Sequence, residues 1–432
     1  MPKNRRKAGG RRSVEARSLP SDEEYDTADN WSTASVLSED QTDSIPEEDK
    51  DGEECDESGS QEHFEDKLKD AIEGLSQKSA QGRKNCLEGL IKAFSKKYLI
   101  DFLADRKVTV SDGVIRCLRK GKGDEQTLAA RSLAMLCIQL AQDAEEIMAD
   151  VKPVLLTILA DNSANLKARG ECAIAVAMCA FITCMEFEDV VSTMEALENI
   201  FRLSFRKGDK SIPTHSPEVS RLHGVALTAW CLLLSIAPQY HIDKVVAKYL
   251  SKLPDLLESQ DVDLRIVAGE TIALFYELGR EEDEEFQSAS MVQLCESLRR
   301  LSTESHKYVA KKDRRHQKSS FRDILRAVQE GEAPEVVVKF GPECLEMYTW
   351  VKKVQYSAFC QAISSGVYQH LQWNPMVREV FGLGAPLLVS SLPSNKPTKW
   401  ERTMYNAAAF KARTKARAKF RDKRAVTMSG TE

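Results

Sequence analysis

The sequence predicts an all-α fold, and three observations carry that reading. Between about residues 62 and 330, apolar residues recur at helical spacing and almost no segment alternates like a strand. Within that stretch a run that begins polar and turns small and apolar returns five times, starting at 79, 124, 164, 218 and 262. Residues 399–424 then hold Ala, Lys and Arg without a Gly or Pro, a composition that favours a long terminal helix.

Residues 1–60 come first and predict a disordered tail. Large apolar groups are few, so ordering entropy has nothing to offset it. The charge changes sign along it. Residues 1–20 are basic, whereas 21–60 hold sixteen acids against Lys50, a net −15. The whole 432-residue chain is −5, so everything outside that block sums to +10. An acidic tail on a basic body points to a polyanionic partner. The tail is either a solubiliser or a decoy that competes with nucleic acid for the basic surfaces.

The predicted helices begin with Phe64, Leu68, Ile72 and Leu75 on one face. The five repeated runs follow, at spacings of 45, 40, 54 and 44 residues. Armadillo and HEAT repeats return at about 40–47 residues. Ala130, Gly170, Gly224 and Ala268 stand mid-run, where small side chains let neighbouring helices approach closely. Amphipathic helices between the runs, near 144–161 and 189–203, supply the second helix of a unit. The expectation is an ARM/HEAT-like α-solenoid over 62–304, of about five units, with an irregular all-α domain as the alternative. Solenoids commonly present a concave binding surface, which favours a binding protein over an enzyme.

Residues 305–333 predict a basic helical connector. Lys307, Lys311, Lys312, Arg314, Arg315, Lys318 and Arg322 face one acid, Asp313, over 306–322. On a helix these cations are expected around most of the circumference. That suits either a phosphate-contacting ridge or a nuclear import signal. Residues 334–396 predict a small mixed module on the end of the solenoid. Val336, Val338 and Phe340 alternate before Gly341-Pro342, and Leu345 and Met347 follow, which suggests a β-hairpin.

The last element spans 398–426. Thr398 with Glu401 three residues on reads as a capping box. A helix over 399–424 would be roughly 39 Å long. Lys411, Lys415, Lys419 and Lys423 fall on one stripe, and Arg413, Arg417, Arg421 and Arg424 on another across the axis. Phe420 is the one large side chain in that half, so no wide apolar face exists for a membrane surface. Cations on two sides suit a narrow site with phosphate on both walls. Arg adds planar forks to the point charges of Lys. An import signal would be equally basic.

Other chemistry has little support. Eleven cysteines include no C-x-x-C pair, and several, such as Cys172 and Cys179, stand in apolar runs, as reduced intracellular cysteines do. His215 and His223 lack Cys or carboxylates at metal-ligand spacing, and Cys179 and Cys184 read as core. KGKG at 119–122 is no phosphate loop. No apolar run approaches the roughly 20 residues that cross a bilayer, and no apolar h-region follows the basic N-terminus. The expectation is a protein with no cofactor, metal, membrane span or small-molecule substrate, in the cytoplasm and nucleus.

YNAAAFKARTKARAKFRDKRA at 405–425 closely resembles the C-terminal signature of the interferon-related developmental regulator family. RCLRKGKGDEQ at 116–126, LRIVAGETIALFYEL at 264–278, DRRHQKSSFRDILRAV at 313–328 and KFGPE at 339–343 are similar to it too. The likeness covers about 62–426, and nothing is carried over for 1–60. It implies an ARM-like helical domain, a short family-specific C-terminal domain, and two roles. One is binding idle ribosomes, with the C-terminal helix in the mRNA path and translation repressed. The other is transcriptional co-regulation in differentiating cells, with deacetylase-containing corepressors held on the solenoid's concave face. The two-sided charge of 411–424 suits an RNA-walled channel better.

Overall fold

A computed structural model describes residues 57–183, 186–209, 211–304 and 311–387. The acidic block up to residue 56 and the basic 398–426 segment lie outside the described residues.

The chain opens with α1 (Glu57–Gly74), α2 (Ala80–Lys96), the short α3 (Ile100–Leu103) and α4 (Lys107–Lys120). There follow α5 (Asp124–Leu140), α6 (Glu145–Ala160), α7 (Leu166–Thr183) and α8 (Phe187–Phe201). Then come α9 (Pro217–Leu234), α10 (Gln239–Tyr249), α11 (Val262–Glu282), α12 (Met291–Thr303) and α13 (Lys311–Glu330). Local chemistry marks several starts. Ser79 accepts from the Gly82 N–H, Ser216 from Val219 and Asp261 from Leu264. Each satisfies a helix N–H that would otherwise lack a partner.

The five repeated runs are α2, α5, α7, α9 and α11. They pack side by side in chain order, α13 continues the row, and α1, α4, α6, α8, α10 and α12 back it from one side. This is the ARM/HEAT-like solenoid that the repeat spacing predicts. The small mid-run residues Ala130, Gly170, Gly224 and Ala268 are all buried, but a Cβ at Gly170 would meet nothing within 4 Å and one at Gly224 only Leu264 at 3.9 Å; the tight approach lies beside Ala268 instead. Gly269 shows the tolerance. A Cβ there would meet Ile324 at 2.7 Å and Phe321 at 3.0 Å, so α11 and α13 touch almost backbone to side chain.

The hairpin stands where the alternation places it. β1 (Val336–Phe340) pairs antiparallel with β2 (Glu343–Met347), Val338 opposite Leu345. Val338, Phe340, Leu345 and Met347 are buried, and Gly341 takes a φ of +51° at the turn. Three helices follow: α14 (Trp350–Ile363), α15 (Val367–Trp373) and α16 (Pro375–Val380).

The position of this module corrects the sequence-based expectation. It is not seated on the end of the stack. It runs back along the inner row, α14 packing on α11, α9, α7 and α5, and α15 on α2. The reason is visible in the inner helices. In α7, 14 of 18 residues are buried, including Arg169, so it is apolar on nearly every side. A helix apolar all round needs cover all round. The backing row covers one side and α14–α16 cover the other. The end helix α13 offers charge instead of an apolar seat.

Candidate nucleic-acid interface

The basic cluster of 307–322 divides once it is folded. Lys307 lies outside the described residues, as does the side chain of Lys311. Phe321, Ile324 and Val328 are fully buried, with Gln317, Ser320 and Ala327 beside them, at spacings that define one face of α13. Lys312, Arg315 and Arg322 are exposed, while Arg314 and Lys318 are half-buried. The expectation of cations around most of the circumference is therefore corrected: the apolar positions claim one side. The exposed cations, extended by Arg326, stand at offsets of 3, 10 and 14 residues, a single stripe. It is roughly 21 Å long at 1.5 Å per residue.

Side-chain hydrogen bonds anchor the helix that carries the stripe. The guanidinium of Arg265 donates to Gln317 Oε1 at 2.8 Å, and Gln317 Nε2 reaches the Leu301 carbonyl at 3.4 Å. At the other end Arg280 donates to the carbonyls of Ala327 and Val328, both at 2.6 Å. A cation there gives the Val328 carbonyl a partner, adds to the Gly331 N–H already on Ala327, and complements the negative end of the helix dipole. Arg326 is the residue that the sequence reading missed. Its spacing from Lys312, Arg315 and Arg322 was the available signal.

Thr398, Glu401 and the eight cations Lys411, Arg413, Lys415, Arg417, Lys419, Arg421, Lys423 and Arg424 lie outside the described residues. What the structure places is the ground they depart from. Leu387 donates its N–H to Glu343 at 3.0 Å, and Glu343 is held by Arg378 at 2.7 Å. Those bonds keep the Glu343 carboxyl below the ordinary range, the Arg378 guanidinium first.

The inner row, the expected seat for a protein partner, carries the chain's own module instead. Glu277 of α11 accepts the N–H groups of Trp350 and Val351 at 2.7 and 2.9 Å, capping α14 from another element. Phe359 meets Phe181 edge to face at 6.1 Å between ring centres. Ser95 of α2 donates to the Ile363 carbonyl at 3.0 Å. His370 Nε2 reaches the Phe94 carbonyl at 2.7 Å, and Asn374 donates to the Ile138 carbonyl at 2.8 Å. A donating Nε2 leaves Nδ1 as the acceptor for Asn374, so His370 is neutral, and burial lowers its pKa.

One serine–histidine pair needs a reading. Ser204 Oγ and His223 Nδ1 are 2.6 Å apart and buried. Burial first, then His215 and Arg169, push the imidazole down to about 4. That is far below what a general base needs at neutral pH. The pair is a buried contact that ties His223 of α9 to Ser204, just after α8. Among the described residues, no group of three or more His, Cys, Asp or Glu side chains is placed to hold a metal ion, and no helix is long and apolar enough to cross a membrane.

Comparison with known proteins bears on the whole chain. Residues 30–329 match the family described as interferon-related developmental regulator, and 374–425 match the interferon-related protein conserved region. The second match takes in all eight tail cations. Interferon-related developmental regulator 1 of Mus musculus is 44% identical over 374 residues, 86% of this chain and 83% of the relative. Interferon-related developmental regulator 2 of Mus musculus is 43% identical over 378 residues, 87% of this chain and 86% of that protein. An engineered protein of solved structure aligns with 60% of this chain and 97% of its own, at 17% identity and a TM-score of 0.39, too slight a likeness to argue from. With profile matches over most of its length and that identity to two named members, the chain belongs to the interferon-related developmental regulator family.

Proposed function

We propose that this protein is a non-enzymatic RNA-binding repressor of translation that places the basic 398–426 segment in the mRNA path of idle ribosomes. The observation that carries the reading is the sequence pattern of 411–424, four Lys and four Arg with alanines between, which on a helix would fall on opposite sides of the axis. Ribosomal RNA supplies phosphate on both walls of a narrow channel, and cations on two sides fit it. The exposed stripe of Lys312, Arg315, Arg322 and Arg326 supports the same reading as a second phosphate contact. A family of regulators gives the proposal its setting.

The second role, a nuclear scaffold for corepressor subunits, draws on the solenoid's inner face. Because α14–α16 pack along that row, a partner there would have to displace them. The ribosome reading needs no such displacement.

The test is co-sedimentation with empty 80S ribosomes, the full chain beside one ending at Pro397. The full chain is expected to pellet and the shortened one to lose most of its binding. If neither pellets, the ribosome reading is wrong. If both pellet equally across salt concentrations, the terminal segment is not the anchor.

A further inference from the structure

A cleft of about 410 Å³ lies between α10 and the turn joining α11 to α12, far from the basic stripe in its chemistry. Its floor is apolar: Val246, Ala247, Leu250 and the ring of Phe286, which lies against Gly279. Its rim is acidic. Asp243, Glu282 and Asp283 line it, and they belong with Glu281, Glu284 and Glu285 to one exposed group.

Residues 281–285 are five consecutive acids, and among the described residues none of the five has an ion-pair partner. They crowd the C-terminal end of α11, where the helix dipole already disfavours negative charge. The neighbouring cation does not help them, because Arg280 is turned onto the carbonyls of α13. An apolar floor with an uncompensated acidic rim is the chemistry that takes an amphipathic basic helix.

This chain holds such a segment. On a helix over 399–424, Trp400, Met404, Ala407 and Ala408 fall on one side, and Lys411 and Lys415 continue the same line. Phosphate contact uses the cations but leaves Trp400 and Met404 without a task. The reach is sufficient. Leu387 is tied to Glu343 of the hairpin, and the hairpin is bracketed by Gly331 beside Arg280 and by Trp350 on Glu277, both in the last turns of α11. From Leu387 to Lys399 the chain can extend roughly 40 Å.

We infer that the cleft between α10 and the α11–α12 turn is the resting dock of the chain's own 399–424 segment. Trp400 and Met404 sit on Val246, Leu250 and Phe286, and Lys411 and Lys415 sit on the 281–285 acids. RNA and the cleft then compete for the same lysines. The docking stands on the cleft and the segment; only the competition rests on the function proposed above.

The test is zero-length carboxyl-to-amine cross-linking of the full chain by a carbodiimide, with peptide mapping, and a 20-residue uridine oligonucleotide as the RNA probe. Links from Lys411 or Lys415 to Glu281–Glu285 are expected, reduced several-fold in a Trp400→Ala, Met404→Ala variant that keeps every carboxylate and lysine. Excess oligonucleotide should remove them. A variant with Glu281, Glu282, Glu284 and Glu285 changed to Gln should bind the oligonucleotide roughly three- to tenfold more tightly, because a self-docked population lowers apparent affinity by its own fraction. Tail lysines linked to the acids of 22–57 instead, or to no acid of 281–285, would overturn the dock. So would an unchanged affinity in the Gln variant. Links at 281–285 with no RNA binding by either protein would leave the dock standing and sink the RNA reading.

Discussion

Helices α7 and α13 are nearly equal in length, 18 and 20 residues, and lie in the same row, yet they face opposite demands. In α7 the row continues on both sides, the backing helices cover one flank and α14 the other, so even Arg169 is buried, its side chain bonded to the Leu159 carbonyl at 2.9 Å. In α13 the row ends. One face packs on α11 and α12, and the other presents Lys312, Arg315, Arg322 and Arg326. Composition follows position in the stack: an interior repeat loses its polar face, and the terminal one is free to use it. The binding chemistry of this solenoid is therefore expected at its end, on α13, and along α10–α12 instead of along its inner row.

The strongest way to break that comparison is to remove the cover from α7. Phe359 is fully buried and meets both Phe181 and Phe381 edge to face, at 6.1 and 5.8 Å. Phe359→Ala is expected to cost about 3–5 kcal/mol, the range for a buried aromatic truncated in a packed core. Urea unfolding measures it. A loss under about 1 kcal/mol would mean that the module is an appendage and that the inner row is stable without it.

A smaller effect should appear with pH. His223, on the interior face of α9, is held near 4 by burial, below its ordinary value of 6.5. The unfolded chain takes up a proton there before the folded chain does. Stability from this site is thus complete above about pH 6.5 and is lost as pH falls toward 4, by up to roughly 3 kcal/mol. His370 is shifted down as well and acts in the same direction. Unfolding at pH 7 and pH 4.5 should show the loss, and His223→Gln should remove its share of the slope. An identical slope in that variant would show that His223 is not held neutral.

On stability, the least change is expected at the end of the row. Changing Lys312, Arg315, Arg322 and Arg326 to Ala should move stability by no more than about 0.5 kcal/mol per site, as exposed positions do. Affinity for RNA should nevertheless fall, and the slope of log affinity against log salt should shrink by roughly three if all four touch phosphate. An unchanged slope would leave the stripe as a solvated face and confine RNA contact to the tail.

Much of this was legible in sequence order. The runs at 79, 124, 164, 218 and 262 became the inner row because small residues mid-helix and apolar character on several faces are local properties. The hairpin was legible from Val336, Val338, Phe340 and the Gly341-Pro342 break for the same reason. The α13 stripe was half legible. The charges could be counted, but which of them faced solvent depended on where Phe321, Ile324 and Val328 found their partners.

What the sequence determined by itself is what depends on neighbours within a turn or two of helix: the repeat, the caps at Ser79, Ser216 and Asp261, and the placement of the basic and acidic blocks. Tertiary structure alone decided that the C-terminal module folds back over α11, α9, α7, α5 and α2. The contacts that hold it join residues 73 to 276 positions apart, such as Glu277 with Trp350 and His370 with Phe94. No local pattern encodes such a pairing. It follows from a sum over the whole chain, in which the apolar flank of the inner row had one large apolar surface left to meet.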